Sequence, residues 1–150
     1  MRLGLVSHFS ISLTVRLPAE AGKVAILATG PTHEASFYQQ RIRDSGREVI
    51  DSQELRSTTT SLIGLVKAKG FRDPEVQARW HHLMSMVEST QADDVLIACT
   101  DLSPLISRNS FNFAIVDTAT SLSRATIRHY RRLIEEKNDS GAARKLVHIQ

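Results

Sequence analysis

The chain has 150 residues, of which 41% are hydrophobic and 23% charged, a composition that suits one globular domain with an apolar core. Its formal net charge is +3, and this mildly basic balance raises the question of nucleic-acid binding. One cysteine excludes an intramolecular disulfide, and no apolar stretch approaches the roughly 18 residues that a membrane-spanning helix needs.

The basic residues do not form the footprint of a nucleic-acid-binding surface. The densest basic run consists of Arg124, Arg128, Arg131, Arg132 and Lys137. The first three are spaced three to four residues apart, as on one helix face. Glu135 and Glu136 interrupt this run of positive charge. Because a solvated helix face explains this pattern, we expect neither nucleic acid nor a membrane as a partner.

Residues 1–22 are the least regular part of the sequence. Residues 11–17 alternate strictly between apolar and polar side chains, which is the period of a half-buried strand, and Pro18 ends the pattern. We expect an irregular N-terminal segment that either pairs at a sheet edge or is loosely held. Polar residues from His8 to Arg16 interrupt the apolar stretch that a signal peptide requires, so we predict a cytoplasmic protein.

Four apolar runs in the rest of the chain predict buried strands, near residues 24–28, 48–50, 95–98 and 113–116. Helical patterns separate most of these runs, and strands that alternate with helices are typical of a parallel sheet with crossover connections. We therefore predict an α/β fold with a four-stranded parallel sheet and helices on both faces.

The helices have recognisable start and stop signals. Thr32 is a candidate N-cap, and Gly46 is placed to end the helix that follows it. Apolar spacing predicts a helix over 53–69, and Asp73-Pro74-Glu75 combines an N-cap, a proline at the first helical position and an early acid. A long helix is expected from Ala119 to Lys137, so that the α/β lobe spans 23–137 and a flexible tail spans 138–150.

Polar residues at the carboxyl ends of the strands are the candidates for function, because ligands of open α/β sheets bind there. Small hydroxyls suit a carboxylate or phosphate, and a thiolate can act as a nucleophile or base. A thiol at such a place can have its pKa lowered, because the positive potential of a helix end favours the thiolate. The candidates are Thr29, Thr32, Cys99, Thr100, Asp101 and Asp117.

Structural explanations for the same residues remain open. Cys99 can be a small apolar core residue, Thr29 and Thr32 can be turn and cap residues, and Asp101 and Asp117 can be helix caps. The six histidines show no metal-ligand spacing, and there is no cysteine pair for zinc. Since glycine-rich dinucleotide and Walker motifs are also missing, we expect no metal and no cofactor.

Four motifs follow one another in chain order. They are the strand and turn at 24–32 with Phe37-Tyr38, the Gly-x-x-Val-like segment 46–50, the Cys-Thr segment 96–102, and Val116-Asp117-Thr118. Taken together, they resemble the aspartate/glutamate racemase family. The resemblance covers residues 23–136 and corresponds to the second half of the two-lobed racemase fold.

The resemblance implies pyridoxal-independent proton transfer at the α-carbon of an amino acid. Two cysteines on facing lobes exchange protons with opposite faces of the substrate, and Cys99 corresponds to the second-lobe acid/base. Thr29, Thr32 and Thr100 would bind substrate carboxylate, with Asp101 and Asp117 in the same substrate site. An amino acid or dicarboxylate is the implied partner, and family members often form homo-oligomers.

Departures from the family pattern leave alternatives open. Ala28 and Ala98 replace glycines, Asp101 replaces the usual Glu, and the first lobe with its own cysteine has no counterpart here. We therefore expect a truncated racemase that is weakly active or inactive. The alternative is a non-catalytic α/β module that binds a small carboxylate or a protein. A flavodoxin-like signalling domain ranks last, because it needs acidic residues where the first strand ends in Thr29.

Overall fold

The structure, a computed structural model, describes residues 22–106 and 111–146, so the strand predicted at 11–17 lies outside the described residues. The strands are β1 (Lys23–Ala28), β2 (Glu48–Ile50), β3 (Asp94–Ala98) and β4 (Ala114–Asp117). The helices are α1 (Gly30–Glu34), α2 (Phe37–Asp44), α3 (Gln53–Lys69), α4 (Pro74–Ser89) and α5 (Thr118–Leu146), with a 3₁₀ turn at Ser103–Leu105.

The four strands form one parallel sheet in the order β2-β1-β3-β4. This confirms the predicted fold class, and the strand positions agree with the sequence prediction to within a residue. In β1, alternate side chains enter two separate cores, because successive residues of a strand point to opposite faces. Ala25 and Leu27 pack with α3 and α4, whereas Val24 and Ile26 pack with Ile42 of α2. Helices therefore cover both faces, as predicted.

Helix boundaries agree with the sequence in most places. Asp73 caps α4 by accepting a hydrogen bond from the Glu75 N–H, and Gly46 has the left-handed φ of 79° that suits a residue after a helix end. The N-cap prediction for Thr32 is wrong, since Thr29 holds that position and Thr32 lies inside α1. Helix α5 continues to Leu146, past the end predicted at Lys137.

Helix α5 uses small polar residues where it meets the rest of the domain. Thr118 and Ser121 are buried, and contacts run from this helix to β3 and β4. Five of its large apolar side chains are instead 41–64% exposed: Leu122, Ile127, Tyr130, Leu133 and Ile134. No helix within 22–106 and 111–146 is long and apolar enough to cross a membrane.

A buried ion pair joins the start of β3 to the turn before β2. The Arg47 guanidinium donates to the Asp94 carboxylate, and both side chains are only 4% exposed. Two other guanidinium nitrogens of Arg47 are buried without a hydrogen-bond partner among the described residues. An unpaired charge at this depth is costly, so loss of either partner is more damaging than loss of the pair.

We predict that Asp94→Asn lowers the free energy of unfolding by about 3–5 kcal/mol, because it leaves the Arg47 charge buried and uncompensated. The double variant Arg47→Met/Asp94→Leu should recover most of that loss. Urea unfolding followed by circular dichroism measures both effects. Lys69→Met is the matched control, since it breaks an exposed ion pair with Glu75 and should leave stability unchanged. Equal stability of Asp94→Asn and the control would contradict the prediction.

Candidate functional site

The sheet register brings the predicted site residues to one edge. Ala28 of β1 pairs with Ala98 of β3, so Thr29 and Cys99 each follow one member of the same pair. Asp117 pairs with Ile97, which places the end of β4 beside the end of β3. The carboxyl ends of three adjacent strands therefore present the candidate side chains together, although the roles of those side chains remain predictions.

Thr29 and Thr32 form a hydroxyl pair at the end of β1. Their Oγ1 atoms are 2.9 Å apart, a hydrogen-bond distance, and both residues are half-buried. Neither side chain caps α1. Because one hydroxyl donates to the other, the pair keeps a second O–H for an outside acceptor such as a carboxylate.

Cys99 lies directly after β3 and is 9% exposed, packed in the apolar core cluster with Leu102 and Leu105. Burial raises the pKa of the thiol, and the negative charge of Asp101 adds to this effect. Backbone N–H groups of Asp101 and Leu102 and the charge of Lys67 act in the opposite direction but do not offset it. The pKa of Cys99 is therefore raised rather than lowered, because desolvation outweighs the favourable contacts.

Asp101 connects the thiol to a lysine that the sequence analysis did not identify. Its Oδ2 is 3.8 Å from the Cys99 sulfur and 3.4 Å from Nζ of Lys67 on α3. The Lys67 side chain is 64% exposed, so its ammonium group faces solvent beside the thiol. No local sequence signal marks this lysine, because α3 and the end of β3 meet only in the folded chain.

Asp117 acts as a cap and as a tether. Its carboxylate accepts hydrogen bonds from the backbone N–H and the hydroxyl of Thr120, at 3.2 and 2.6 Å, which satisfies the start of α5. It also accepts a 2.9 Å bond from Ser103, in the 3₁₀ turn that follows Cys99. This agrees with the capping alternative for Asp117, and the tether holds the loop that carries Cys99. Thr100 is exposed in the same loop.

The edge thus combines hydroxyl donors, a protonated thiol, carboxylates and an exposed ammonium group. Such a set can bind a small molecule that has a carboxylate and an amino group, and can give a proton to it. Within 22–106 and 111–146, no three His, Cys, Asp or Glu side chains come together in a cluster that could hold a metal ion.

Comparison with known proteins assigns the chain to a class. The sequence profile of the Asp/Glu/hydantoin racemase family matches residues 10–126, and the chain belongs to this family. The match starts earlier than the resemblance at 23–136 suggested, and it ends earlier as well.

Individual relatives agree with that assignment. The chain is 29% identical over 114 residues to the broad specificity amino-acid racemase RacX of Bacillus subtilis strain 168, covering 76% of this chain and 49% of RacX. The Picrophilus torridus aspartate racemase has the same fold, with a TM-score of 0.60, 18% identity, and coverage of 83% of this chain and 52% of that one.

A protein from Yersinia pestis, provisionally classed as an Asp/Glu racemase, also shares the fold. Its TM-score is 0.63 at 18% identity, with 84% of this chain and 54% of that chain covered. The chain therefore spans about half the length of the relatives it matches.

We predict that Cys99 is alkylated by iodoacetamide more slowly at neutral pH than a free cysteine, because its raised pKa leaves little thiolate. Asp101→Asn removes a nearby negative charge, so the pKa should fall and alkylation should accelerate. Lys67→Met removes the opposing positive charge, so the pKa should rise and alkylation should slow further. Rates measured against pH by mass spectrometry give each midpoint, and the chain has no other cysteine to interfere.

The midpoints separate proton affinity from access, since restricted access slows alkylation at every pH alike. A wild-type midpoint at or below that of free cysteine would contradict the burial argument. Identical midpoints for Asp101→Asn and Lys67→Met would contradict the charge argument.

Proposed function

We propose that this chain is the cysteine-bearing lobe of an amino-acid racemase of the aspartate/glutamate type, in which Cys99 exchanges a proton with the substrate α-carbon. The observation that carries the proposal is the placement of Cys99 at the carboxyl end of β3, one strand away from the Thr29–Thr32 hydroxyl pair. Family membership supports the same reaction class.

Each polar group at the edge has a role in this proposal. The Thr29–Thr32 pair and Thr100 donate to the α-carboxylate, and Asp101 accepts from the substrate ammonium group. Lys67, exposed beside the thiol, attracts a second carboxylate, which favours a dicarboxylic amino acid. Asp117 positions the Cys99 loop through Ser103, rather than contacting substrate.

The thiol can do this work without pyridoxal phosphate. The raised pKa keeps most of Cys99 protonated near neutral pH, and the remaining thiolate takes the α-proton and leaves a carbanion. The thiol that results exchanges its proton with solvent and returns one to the carbanion. Both steps occur on one substrate face. Inversion also needs an acid/base group on the opposite face, and we assign that group to the half of the relatives' length that this chain does not span.

The proposal also covers the cellular location, the oligomeric state and the partner of the protein. A cytoplasmic location suits a chain with one unpaired cysteine. The exposed apolar side chains of α5 support association into a homo-oligomer. The partner is a small amino acid or dicarboxylate, and neither nucleic acid nor a membrane is involved.

A second candidate function is carboxylate binding without catalysis. It is favoured by the burial of Cys99, which is 9% exposed and packs among apolar side chains. In that case the hydroxyl pair and Lys67 would hold the ligand, and Cys99 would be only an apolar core residue.

We predict that the 150-residue chain catalyses exchange of the α-proton of L-aspartate or L-glutamate in D₂O, with little or no racemisation. Cys99 returns a deuteron to the same substrate face from which it removed the proton, so exchange retains configuration. Loss of the α-proton signal in ¹H NMR measures exchange, and chiral chromatography measures inversion. Cys99→Ala should reduce exchange to the rate without protein.

Ser61→Ala, which removes an exposed hydroxyl from α3, is the matched control and should exchange at the wild-type rate. Racemisation that disappears in Cys99→Ala would show that a second acid/base group exists within this chain. Binding of L-aspartate without exchange would favour the non-catalytic candidate.

A further inference from the structure

Helix α1 depends on one buried side chain. It has five residues, Gly30–Glu34, and His33, at 5% exposure, is the buried one among them. A helical turn this short is not stable alone, so contacts with the rest of the domain determine its position. The same turn carries Thr32 and is joined to Thr29 by the hydrogen bond from the His33 N–H to the Thr29 carbonyl, at 3.1 Å.

His33 is connected, directly or through Asp51, to the end of β2, to α2 and to α3. His33 Nδ1 is 3.2 Å from an oxygen of Asp51, which follows β2. Arg56 of α3 donates two hydrogen bonds to the same carboxylate, at 2.6 and 2.5 Å. Gln39 of α2 donates to the His33 carbonyl at 3.1 Å. Asp51 and Arg56 are thus the charged groups that face the imidazole.

The charge balance of this cluster determines which nitrogen carries the proton. Although burial opposes it, the hydrogen bond from Arg56 and the charges of His33 and Arg56 lower the pKa of Asp51, so its carboxylate is ionised. Burial lowers the pKa of His33 despite the attraction of Asp51, so the imidazole is neutral. A lone pair on Nδ1 would be repelled by the ionised Asp51 oxygen 3.2 Å away, which places the proton on Nδ1. The Gln39 amide nitrogen, 3.4 Å from Nδ1, donates instead to the His33 carbonyl. Nε2 is then a buried acceptor with no partner among the described residues.

We propose that His33 is a positioning residue for the carboxylate-binding hydroxyl pair: its imidazole, held by Asp51, fixes the turn that carries Thr29 and Thr32. The carboxylate-binding role of that pair rests on the proposed function, whereas the mechanical coupling does not. Protonation of His33 adds an N–H at Nε2, where the described residues offer no acceptor. The turn must therefore shift when pH falls through the lowered pKa of His33, and the hydroxyl pair shifts with it.

NMR of the full chain tests the coupling without any ligand. The ¹⁵N shifts of His33 should identify Nδ1 as the protonated nitrogen, with a titration midpoint below the ordinary histidine value of 6.5. The methyl signals of Thr29 and Thr32 should titrate with the same midpoint. In His33→Asn, whose amide retains a donor toward Asp51 but does not titrate, these methyl signals should lose that step and stay near their neutral-pH wild-type positions.

Binding of L-aspartate supplies the second readout. His33→Leu removes the donor and should raise the dissociation constant about tenfold, because the hydroxyl pair loses its fixed geometry. His33→Asn should stay near the wild-type affinity, and its affinity should lose the pH dependence that His33 gives the wild type. His82→Leu removes an exposed histidine from α4 and is the matched control, with affinity expected to be unchanged.

If the Thr29 and Thr32 methyl signals of the wild-type chain do not change as His33 titrates, the proposal is overturned. This test remains valid even if His33→Leu does not fold. Unchanged affinity in a folded His33→Leu variant would overturn it as well. Failure of the proposed function would give a different set of binding results. Thr29→Val would then bind L-aspartate as well as the wild type, or the wild type would not bind it, while the methyl titration would still decide the coupling.

Discussion

Five residue pairs join β1 to β3, from Val24–Asp94 at one end to Ala28–Ala98 at the other. This parallel register is the constraint on which the rest of the domain depends. It sets which side chains of both strands enter each core, because a shift by one residue would exchange the two faces. It also ends both strands at the same level, so Thr29 and Cys99 emerge side by side. The candidate site is therefore a consequence of how the central strands pair.

Burial makes the Cys99 thiol stable but unreactive at rest. The apolar neighbours that pack around Cys99 favour its neutral form, as they would for any acid in a core. A protonated thiol suits a group that donates a proton to a carbanion, whereas a nucleophile or a base needs the thiolate. Lys67 and two backbone N–H groups oppose this effect of burial. The charges of Asp101 and Lys67 act on the thiol in opposite directions, and that of Lys67 is the weaker of the two.

The strands and most helix ends could be predicted because their signals are local. Apolar runs mark β1 and β3, and Asp73-Pro74 marks the start of α4. The break between α1 and α2 could not be predicted, since Ser36 adopts a left-handed φ of 54° without a sequence signature. The candidate residues at strand ends could be named from topology and family resemblance. The state of Cys99 and the contact of His33 with Asp51 could not, because both depend on neighbours distant in sequence.

Trp80 is the one tryptophan in the chain, and it is fully buried in α4. Its indole N–H has no hydrogen-bond partner among the described residues, so its ring lies in an apolar environment with Leu62 and Leu83 as fellow members of the core cluster. Intrinsic fluorescence therefore reports the packing of the α3–α4 layer. A ligand at the carboxyl edge of the sheet would leave that emission nearly unchanged, whereas opening of the helical layer would shift it to longer wavelength. The molecule thus carries a spectroscopic probe that distinguishes loss of structure from occupation of the site.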